Sequence, residues 1–177
     1  MPLIKTYEKE EATGELAELY NKIIEIRGDV MNTHKLFSSS PELLKHQLGF
    51  IKHYGAHKTL SQAFLAAMRI LVSTKEKCDF CVDFNSAMLI NNLGWNLDEV
   101  NTLKDDYKNS KLEQKEKALM GFVLRSLSEP QKIGQNDVDD LKDLGWSDAD
   151  ILDATNHGAR MVSVDILFNT FKIEPFE

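Results

Sequence analysis

Helical periodicity runs through nearly the whole chain and limits the fold more than any other feature of the sequence. Apolar residues recur three and four positions apart, as in the stripe that contains Leu16 and Leu19, and this is the spacing of one face of an α-helix. Signals for helix starts interrupt the pattern at Ser40-Pro41-Glu42, Ser61, Asn96-x-x-Glu99 and Ser147. The alternation typical of strands and the turns typical of hairpins are missing from the sequence. The pattern predicts an all-α fold, a bundle of about seven to eight helices.

The predicted helix boundaries follow from these caps and from the glycines that end helices. Thr13 and Gly28 bracket the first helix, and Asn136 is predicted to cap a short late helix that ends at Gly145. The remaining helices are expected at about 41–57, 61–74, 78–92, 96–107, 112–127 and 147–172.

The helix predicted from Ser61 to Thr74 is apolar on nearly every side. A helix of this kind lies at the centre of a bundle or at an interface, because it has no polar face for water. A chain of 177 residues would have difficulty enclosing it as a monomer. We therefore expect a homo-oligomer, with this helix and the last one near the interface.

The length and charge of the chain limit the classes of function. Its 177 residues suit one domain, residues 1–177. The net charge is −7, and phosphate binding needs clustered Lys and Arg, so we expect no nucleic-acid partner. The start, MPLIKTYEKEE, lacks the pattern of a signal peptide, and no apolar run approaches the length of a membrane span. We expect a soluble cytoplasmic protein without a membrane partner.

The only two cysteines, Cys78 and Cys81, lie three positions apart. Residues with this spacing share a helix face, so their sulfurs can meet with little strain. Unpaired N–H groups at a helix start favour the thiolate. A thiolate attacks a peroxide oxygen to give a sulfenic acid, which a neighbouring thiol converts to a disulfide, and an external reductant must then restore the dithiol. The pair is therefore a candidate redox site.

The C-x-x-C spacing also occurs in sites other than a redox pair of this kind. Two buried small side chains on an amphipathic helix can have the same spacing. A thioredoxin-like site needs strands around the motif, and the sequence predicts none. His53 and His57 would complete a Cys2His2 zinc set with the cysteines, but a whole predicted helix separates the two pairs. We therefore expect neither a metal nor a cofactor.

One segment of the sequence echoes another. Leu93-Gly94-Trp95-Asn96-x-x-Glu99-Val100 is followed 51 residues later by Leu144-Gly145-Trp146-Ser147-x-x-Asp150-Ile151. Each copy is typical of a helix end, a glycine stop, an aromatic contact, a cap and a new helix. Convergence of helix junctions on one pattern and duplication of a helical hairpin explain the echo equally well.

Several segments, taken in order, match the pattern of a known family. They are Glu11-Ala12-Thr13-Gly14-Glu15-Leu16-Ala17-Glu18-Leu19-Tyr20, Ser40-Pro41-Glu42-Leu43-Leu44, Leu60-Ser61, Cys78-x-x-Cys81, Leu93-Gly94 and Phe168-Asn169. In this order and spacing the chain resembles the carboxymuconolactone decarboxylase-like and alkyl hydroperoxidase D-like (AhpD-like) proteins. The resemblance spans almost the whole chain, with its core segment at about 41–108.

This resemblance implies a function as well as a fold. It implies an all-helical subunit that forms homo-oligomers, trimers or hexamers, and a thiol-dependent peroxidase that reduces hydrogen peroxide or organic hydroperoxides. In the peroxidase branch the second cysteine attacks and the first resolves, which gives Cys81 as attacker and Cys78 as resolver. The partners implied are a peroxide substrate and a dithiol reductant of unknown identity.

Two positions depart from the family pattern. The family's relay places a Glu twelve residues before the first cysteine, where this chain has Ala66, and a His four residues after the second, where it has Asn85. Neither side chain is a general base at neutral pH. The candidates that remain to move a proton are Glu76, Asp83, His53, His57 and His157.

These departures leave two alternative functions. The first is a redox-responsive or structural oligomer of the same fold with little turnover, which the absence of the relay favours. The second, which is disfavoured because the decarboxylase branch generally lacks the cysteine pair, is a non-redox lyase of that branch.

Overall fold

The computed structural model describes residues 2–173, and its helices follow the predicted pattern. Within these residues there is no β-strand, and nine α-helices are present: α1 (Gly14–Arg27), α2 (Asn32–Lys35), α3 (Pro41–Gly55), α4 (Gln62–Lys75), α5 (Asp79–Leu93), α6 (Leu97–Asp105), α7 (Gln114–Ser128), α8 (Gln135–Asp143) and α9 (Asp148–Phe171). Since α2 is a single turn, eight longer helices remain. The all-α prediction is confirmed. Among the helices of the described range, none has both the length and the apolar character required to cross a bilayer.

The described residues form two compact units, and the first consists of residues 2–56 and 167–173. In this unit α1 packs against α3. The Tyr20 hydroxyl donates a hydrogen bond to the carbonyl oxygen of Tyr7 at 2.8 Å, and the Phe37 ring lies 6.4 Å from that of Phe168, centroid to centroid. Gly28 ends α1 with a φ of 85°, as predicted, because only glycine adopts that conformation without strain.

The second unit, residues 57–166, is built around α4. This helix packs against α5, α6 and α7. Its buried residues occupy every side of the helix: Phe64, Leu65, Ala66, Ala67, Met68, Ile70, Val72 and Ser73. The predicted central position of this helix is therefore confirmed. Because the single chain already covers these side chains, their burial needs no partner subunit, and the homo-oligomer stays a prediction.

A glycine lets α9 approach its neighbours closely. A Cβ atom on Gly158 would lie 2.7 Å from Cγ1 of Val123 on α7 and 3.5 Å from Sδ of Met68 on α4. The first of these distances is shorter than normal contact between carbon atoms. The absence of a side chain at this position therefore sets how deeply α9 packs against α7 in this unit.

The two echoing segments adopt the same local structure. Gly94 and Gly145 have φ values of 69° and 91°, and each is followed by a buried tryptophan. A lysine ammonium lies over each indole ring, at 5.3 Å from the Trp95 centroid and 5.0 Å from the Trp146 centroid. Capping boxes follow in both copies, Asn96 with Glu99 and Ser147 with Asp150. The junctions were correctly predicted, and both explanations of the echo fit them.

The prediction that Asn136 caps the short late helix is wrong. Gly134 occupies the cap position of α8, and Asn136 lies within the helix. The Asp137 carboxylate accepts a hydrogen bond from the Gly134 N–H at 2.8 Å. An acidic residue in the first turn thus satisfies a free N–H group, and no side-chain cap from Asn136 is needed.

Ser61 holds the start of the central helix, which gives a test of the fold. Its hydroxyl oxygen accepts from the Phe64 N–H at 3.0 Å and donates to the buried Glu116 carboxylate at 2.6 Å. We expect Ser61→Ala to lower the free energy of unfolding by about 1–2 kcal/mol, because a capping bond is lost and Glu116 loses a partner. Denaturant unfolding measures this change.

Thr13→Ala is the matched control, since Thr13 occupies the same position at α1 but its side chain makes no capping bond. Its effect should be clearly smaller. Equal losses in the two variants would contradict the role assigned to Ser61.

Candidate active site

A tight turn between α4 and α5 builds the site. Helix α4 ends at Lys75, Glu76 follows, and Lys77 has a φ of 57°, a left-handed conformation that costs a non-glycine residue about 1–2 kcal/mol. The reversal lets the Cys78 N–H donate to the carbonyl oxygen of Ser73 at 2.9 Å. The two helices therefore run back against each other, and the first turn of α5 lies beside the last turn of α4.

Both cysteines lie at this helix start, as predicted. Cys78 is the N-cap residue of α5 and Cys81 belongs to its first turn. Both carry free thiols, and they are only 2% and 3% exposed. Their sulfur atoms lie within 4.8 Å of each other. The expected proximity of the two sulfurs is present, and the site is deeply buried.

A third residue that sequence reasoning did not single out joins the two thiols. Asp165, on α9, is fully buried, and one of its carboxylate oxygens lies within 4.8 Å of both sulfurs. Its Oδ1 accepts a hydrogen bond from the Ser73 hydroxyl at 3.0 Å. Its Oδ2 is buried and has no hydrogen-bond partner within residues 2–173. A buried carboxylate with an unsatisfied oxygen is unusual in a structural role and common at functional sites.

A faint signal for Asp165 is present in the sequence. It is the one acidic residue between positions 154 and 171, and it follows the buried residues Ala154, His157 and Met161 at helical spacing. An acid on the buried stripe of a helix needs a partner or a function. The spacing could have revealed its burial but not which residues it meets.

Comparisons of the sequence alone find nothing: no protein-family model matches, and no curated protein is significantly similar. Comparison of the structure does find similar solved structures. The alkylhydroperoxidase AhpD core, an uncharacterized peroxidase-related protein from Ralstonia eutropha JMP134, superposes with a TM-score of 0.85 at 15% identity, covering 99% of this chain and 93% of that one. The chain has the AhpD-like fold.

Two further solved structures share the AhpD-like fold of this chain. An uncharacterized peroxidase-related protein from Silicibacter sp. TM1040 gives a TM-score of 0.81 at 18% identity, over 98% of this chain and 95% of that one. The debrominase Bmp8 gives a TM-score of 0.76 at 15% identity, over 98% and 92%. The fold thus occurs in proteins named as peroxidase-related and in one named as an enzyme.

The electrostatics of the thiols in this AhpD-like chain correct one expectation. The pKa of the Cys81 thiol is raised, first by the neighbouring Cys78 thiol, then by burial and then by the charge of Asp165. The prediction that the helix start would favour a thiolate is therefore wrong for Cys81. The N–H groups of one helix end stabilise an anion by about 0.3–1 kcal/mol. The neighbouring Cys78 thiol, burial and the carboxylate of Asp165 together outweigh that gain.

Burial acts on Asp165 in the same direction. It raises the pKa of the Asp165 carboxyl, while the neighbouring Cys81 thiol, the hydrogen bond from Ser73 and the Cys78 thiol lower it in part, and the charge of Glu76 raises it further. The carboxylate is therefore a stronger base than an exposed aspartate. A base of this kind next to a thiol of raised pKa is suited to receive a proton from it.

The two positions at which the family pattern has its relay, 66 and 85, have packing and hydrogen-bonding roles in this structure. Ala66 is fully buried in α4. Asn85 donates from Nδ2 to the carbonyl oxygen of Cys81 at 2.8 Å and accepts at Oδ1 from Nε of Arg69 at 2.5 Å. The guanidinium of Arg69, which sequence reasoning missed, reaches Nε2 of His157 at 3.2 Å. Asn85 therefore links the backbone of Cys81 to a polar chain, the hydrogen-bonded side chains of Asn85, Arg69 and His157.

The remaining candidates for proton transfer lie elsewhere. Asp83 is exposed on α5, and His57 bonds to Asp153 at 3.1 Å. His53 belongs to the first unit. His157 contacts Arg69 in the polar chain described above. Of the groups named from the sequence, Glu76 acts on the site, and it acts through its charge on Asp165.

The thiols and Asp165 also form a cluster that could hold a metal ion. Their three ligand atoms lie within 4.8 Å of one another, and among the described residues this cluster contains no histidine. The Cys2His2 set considered from the sequence is therefore not assembled. A closed structural zinc site uses four protein ligands, one more than this cluster offers within the described range.

The pKa of His157 predicts a dependence of stability on pH. Burial, followed by the charge of Arg69, lowers the pKa of His157 from 6.5 to about 3. Between these values the unfolded chain binds a proton that the folded chain excludes, so stability falls as the pH falls below 6.5. From pH 7 to pH 5 this group should cost about 2 kcal/mol of unfolding free energy. In His157→Gln, which keeps an acceptor for Arg69, that part of the loss should disappear.

Urea unfolding of the two proteins at pH 7 and pH 5 measures the difference, in which contributions from other groups, Asp165 included, cancel. His46→Gln is the control, because His46 is an exposed histidine. Parallel losses in wild type and His157→Gln would mean that His157 takes up its proton in the folded state.

Proposed function

We propose that this protein is a thiol-dependent peroxidase that reduces hydrogen peroxide or small organic hydroperoxides through a Cys78–Cys81 disulfide. The observation that carries the proposal is the pair of free, buried thiols within 4.8 Å of each other at the start of α5. The AhpD-like fold, shared with proteins named as peroxidase-related, supports the same reaction.

The proposed cycle has three steps. The Cys81 thiol loses its proton and attacks the terminal oxygen of the hydroperoxide; the O–O bond breaks, and the alkoxide or hydroxide takes up a proton to leave as alcohol or water. The Cys78 sulfur then attacks the Cys81 sulfenic acid, which forms the S–S bond and releases water. An external dithiol finally returns two electrons and two protons by thiol–disulfide exchange.

The local backbone supports closure of the disulfide. A disulfide needs an S–S distance of about 2.05 Å, so the sulfurs must approach from within 4.8 Å. Cys78 has φ −99° and ψ 85°, outside the helical region. It can therefore move toward Cys81 without breaking an intrahelical hydrogen bond of its own N–H, which bonds instead to Ser73.

The burial of the site supports a small substrate. With both sulfurs almost inaccessible, a hydroperoxide of few atoms reaches them more readily than a bulky one. Burial also keeps the sulfenic acid next to the resolving thiol and away from a second peroxide, which favours the disulfide over sulfinic acid. A homo-oligomer, trimer or hexamer, and a cytoplasmic location complete the proposal.

Two observations favour a second function. The raised pKa of Cys81 and the lack of an acid or imidazole at positions 66 and 85 are what a slow thiol would show. The alternative is a redox-responsive or structural protein that forms the disulfide with little turnover. Continuous peroxide consumption with added dithiothreitol separates the two functions, because a responsive protein reacts once and an enzyme repeatedly.

The roles of the two cysteines give the chemical prediction. After brief peroxide treatment the wild type should lose two hydrogens per chain by mass spectrometry, and dithiothreitol should restore them. Cys78→Ser should accumulate a sulfenic acid on Cys81, detectable with a dimedone-type probe, because its resolving partner is gone. Cys81→Ser should react much more slowly.

The double variant Cys78→Ser with Cys81→Ser gives the background of this experiment, and intact methionines show that the peroxide dose is selective. A faster reaction at Cys78 than at Cys81 would reverse the roles and keep the redox pair. No oxidation of either cysteine at such a dose would exclude the peroxidase.

A further inference from the structure

The position of Asp165 relative to the thiols calls for a chemical explanation. Its carboxylate lies within 4.8 Å of both sulfurs, and it comes from α9, more than eighty positions after the cysteines. Ser73 binds one of its oxygens at 3.0 Å, which leaves the buried Oδ2 without a hydrogen-bond partner among the described residues. Keeping such a group buried costs stability, and a chemical role for the unpaired oxygen would explain why the group is there.

We propose that Asp165 is the acid–base group of this site, which accepts the proton of the Cys81 thiol and returns it to the leaving oxygen of the peroxide. The proposal rests on the proposed function. It supplies the acid–base group that the reaction needs and that Ala66 and Asn85 do not provide. The acid–base role thus falls to a residue of α9.

The proton and electron balance of the step is complete. Asp165 takes the proton of Cys81, and the thiolate gives its electron pair to the terminal oxygen of the hydroperoxide. The O–O bond breaks, and the leaving alkoxide takes the proton back from Asp165 to depart as alcohol. In the next step the carboxylate receives the proton of Cys78 and delivers it to the hydroxide that leaves the Cys81 sulfenic acid, which yields water.

The surroundings of Asp165 fit this role better than those of any other acid named above. The groups that act on it are Cys78 and Cys81 from α5, Ser73 from α4 and Glu76 from the turn between them. Burial raises the pKa of its carboxyl, which strengthens it as a base toward a thiol. Asp83, by contrast, is exposed.

A purely electrostatic role for Asp165 predicts the opposite effect on the reaction rate when the carboxylate is removed, so the experiment can distinguish the two roles. The charge of Asp165 contributes to the raised pKa of Cys81. If the carboxylate acted through its charge alone, its removal would ease ionisation of the thiol and speed the reaction. If it carries the proton, its removal slows the reaction even though the repulsion is gone.

The central variant is Asp165→Asn, which keeps the size of the side chain and an oxygen that accepts from Ser73. We expect the second-order rate constant for oxidation by hydrogen peroxide at pH 7 to fall on the order of 10²-fold or more. The rise of rate with pH should move to higher pH, because hydroxide must then remove the proton. Asp165→Glu should recover part of the rate, since it restores a carboxylate.

The matched control is Asp153→Asn, the same change on the same helix at a partly exposed residue that bonds to His57. Its rate and pH profile should equal those of the wild type. Circular dichroism and the unfolding midpoint report whether each variant is folded.

Ser73→Ala tests the same idea if Asp165→Asn does not fold. The bond from Ser73 lowers the pKa of Asp165, so its loss should shift the rising limb of the pH–rate profile toward higher pH. A purely structural Asp165 would leave that limb in place, and such a result would contradict the proposal.

A reaction without peroxide separates this inference from the proposed function. Alkylation by iodoacetamide also needs a deprotonated thiol, and Asp165→Asn should slow it. If the wild type consumes peroxide and Asp165→Asn oxidises and alkylates as fast or faster, the inference is wrong and the peroxidase stands. If the wild type consumes no peroxide but Asp165→Asn alkylates more slowly, the peroxidase is wrong and the thiol base stands. If the wild type consumes no peroxide and Asp165→Asn alkylates as fast as the wild type, both proposals are wrong.

Discussion

The hydrogen bond from the Cys78 N–H to the carbonyl oxygen of Ser73 holds the site together. It closes the turn in which Lys77 adopts its left-handed conformation, and it brings the start of α5 beside the end of α4. The same residue, Ser73, uses its backbone to hold one cysteine and its side chain to hold Asp165. Groups from α5 and α9 therefore meet at one residue of the buried central helix, α4.

The packing of α9 is the second requirement. Asp165 can reach the thiols because Gly158, two turns earlier, has no side chain to hold the helix away from Val123. A residue with no functional group thus contributes to the position of one that has it.

Features that depend on neighbouring residues could be predicted from the sequence. Ser61 was recognised as a cap and Gly94 as a helix end, because the contacts that define them lie within a few residues. The central position of α4 followed from its composition, since a helix without a polar face has to be buried. The pairing of Cys78 with Cys81 followed from their spacing on one helix.

Features that depend on tertiary contacts could not be predicted. The meeting of Asp165 with the cysteines is set by the packing of α9, which no local pattern encodes. The helix start, which is visible in the sequence, predicts a lowered pKa for the Cys81 thiol. The pKa is raised instead by the neighbouring Cys78 thiol, by burial and by the carboxylate of Asp165, and the last two depend on tertiary packing. The predicted cap at Asn136 is wrong because the helix begins earlier, where the N–H of Gly134 bonds to the Asp137 carboxylate.

The depth of the thiols separates the two halves of the proposed cycle by molecular size. A hydroperoxide needs a passage only a few atoms wide, whereas a dithiol carried on a protein needs the first turn of α5 to swing outward before its sulfur can meet the disulfide. Reduction by such a partner is then limited by how often that turn opens, and its rate levels off at high reductant concentration however reactive the partner is. In the proposed cycle a small free dithiol escapes this limit, so the burial of two sulfur atoms would determine which reducing agents support rapid turnover.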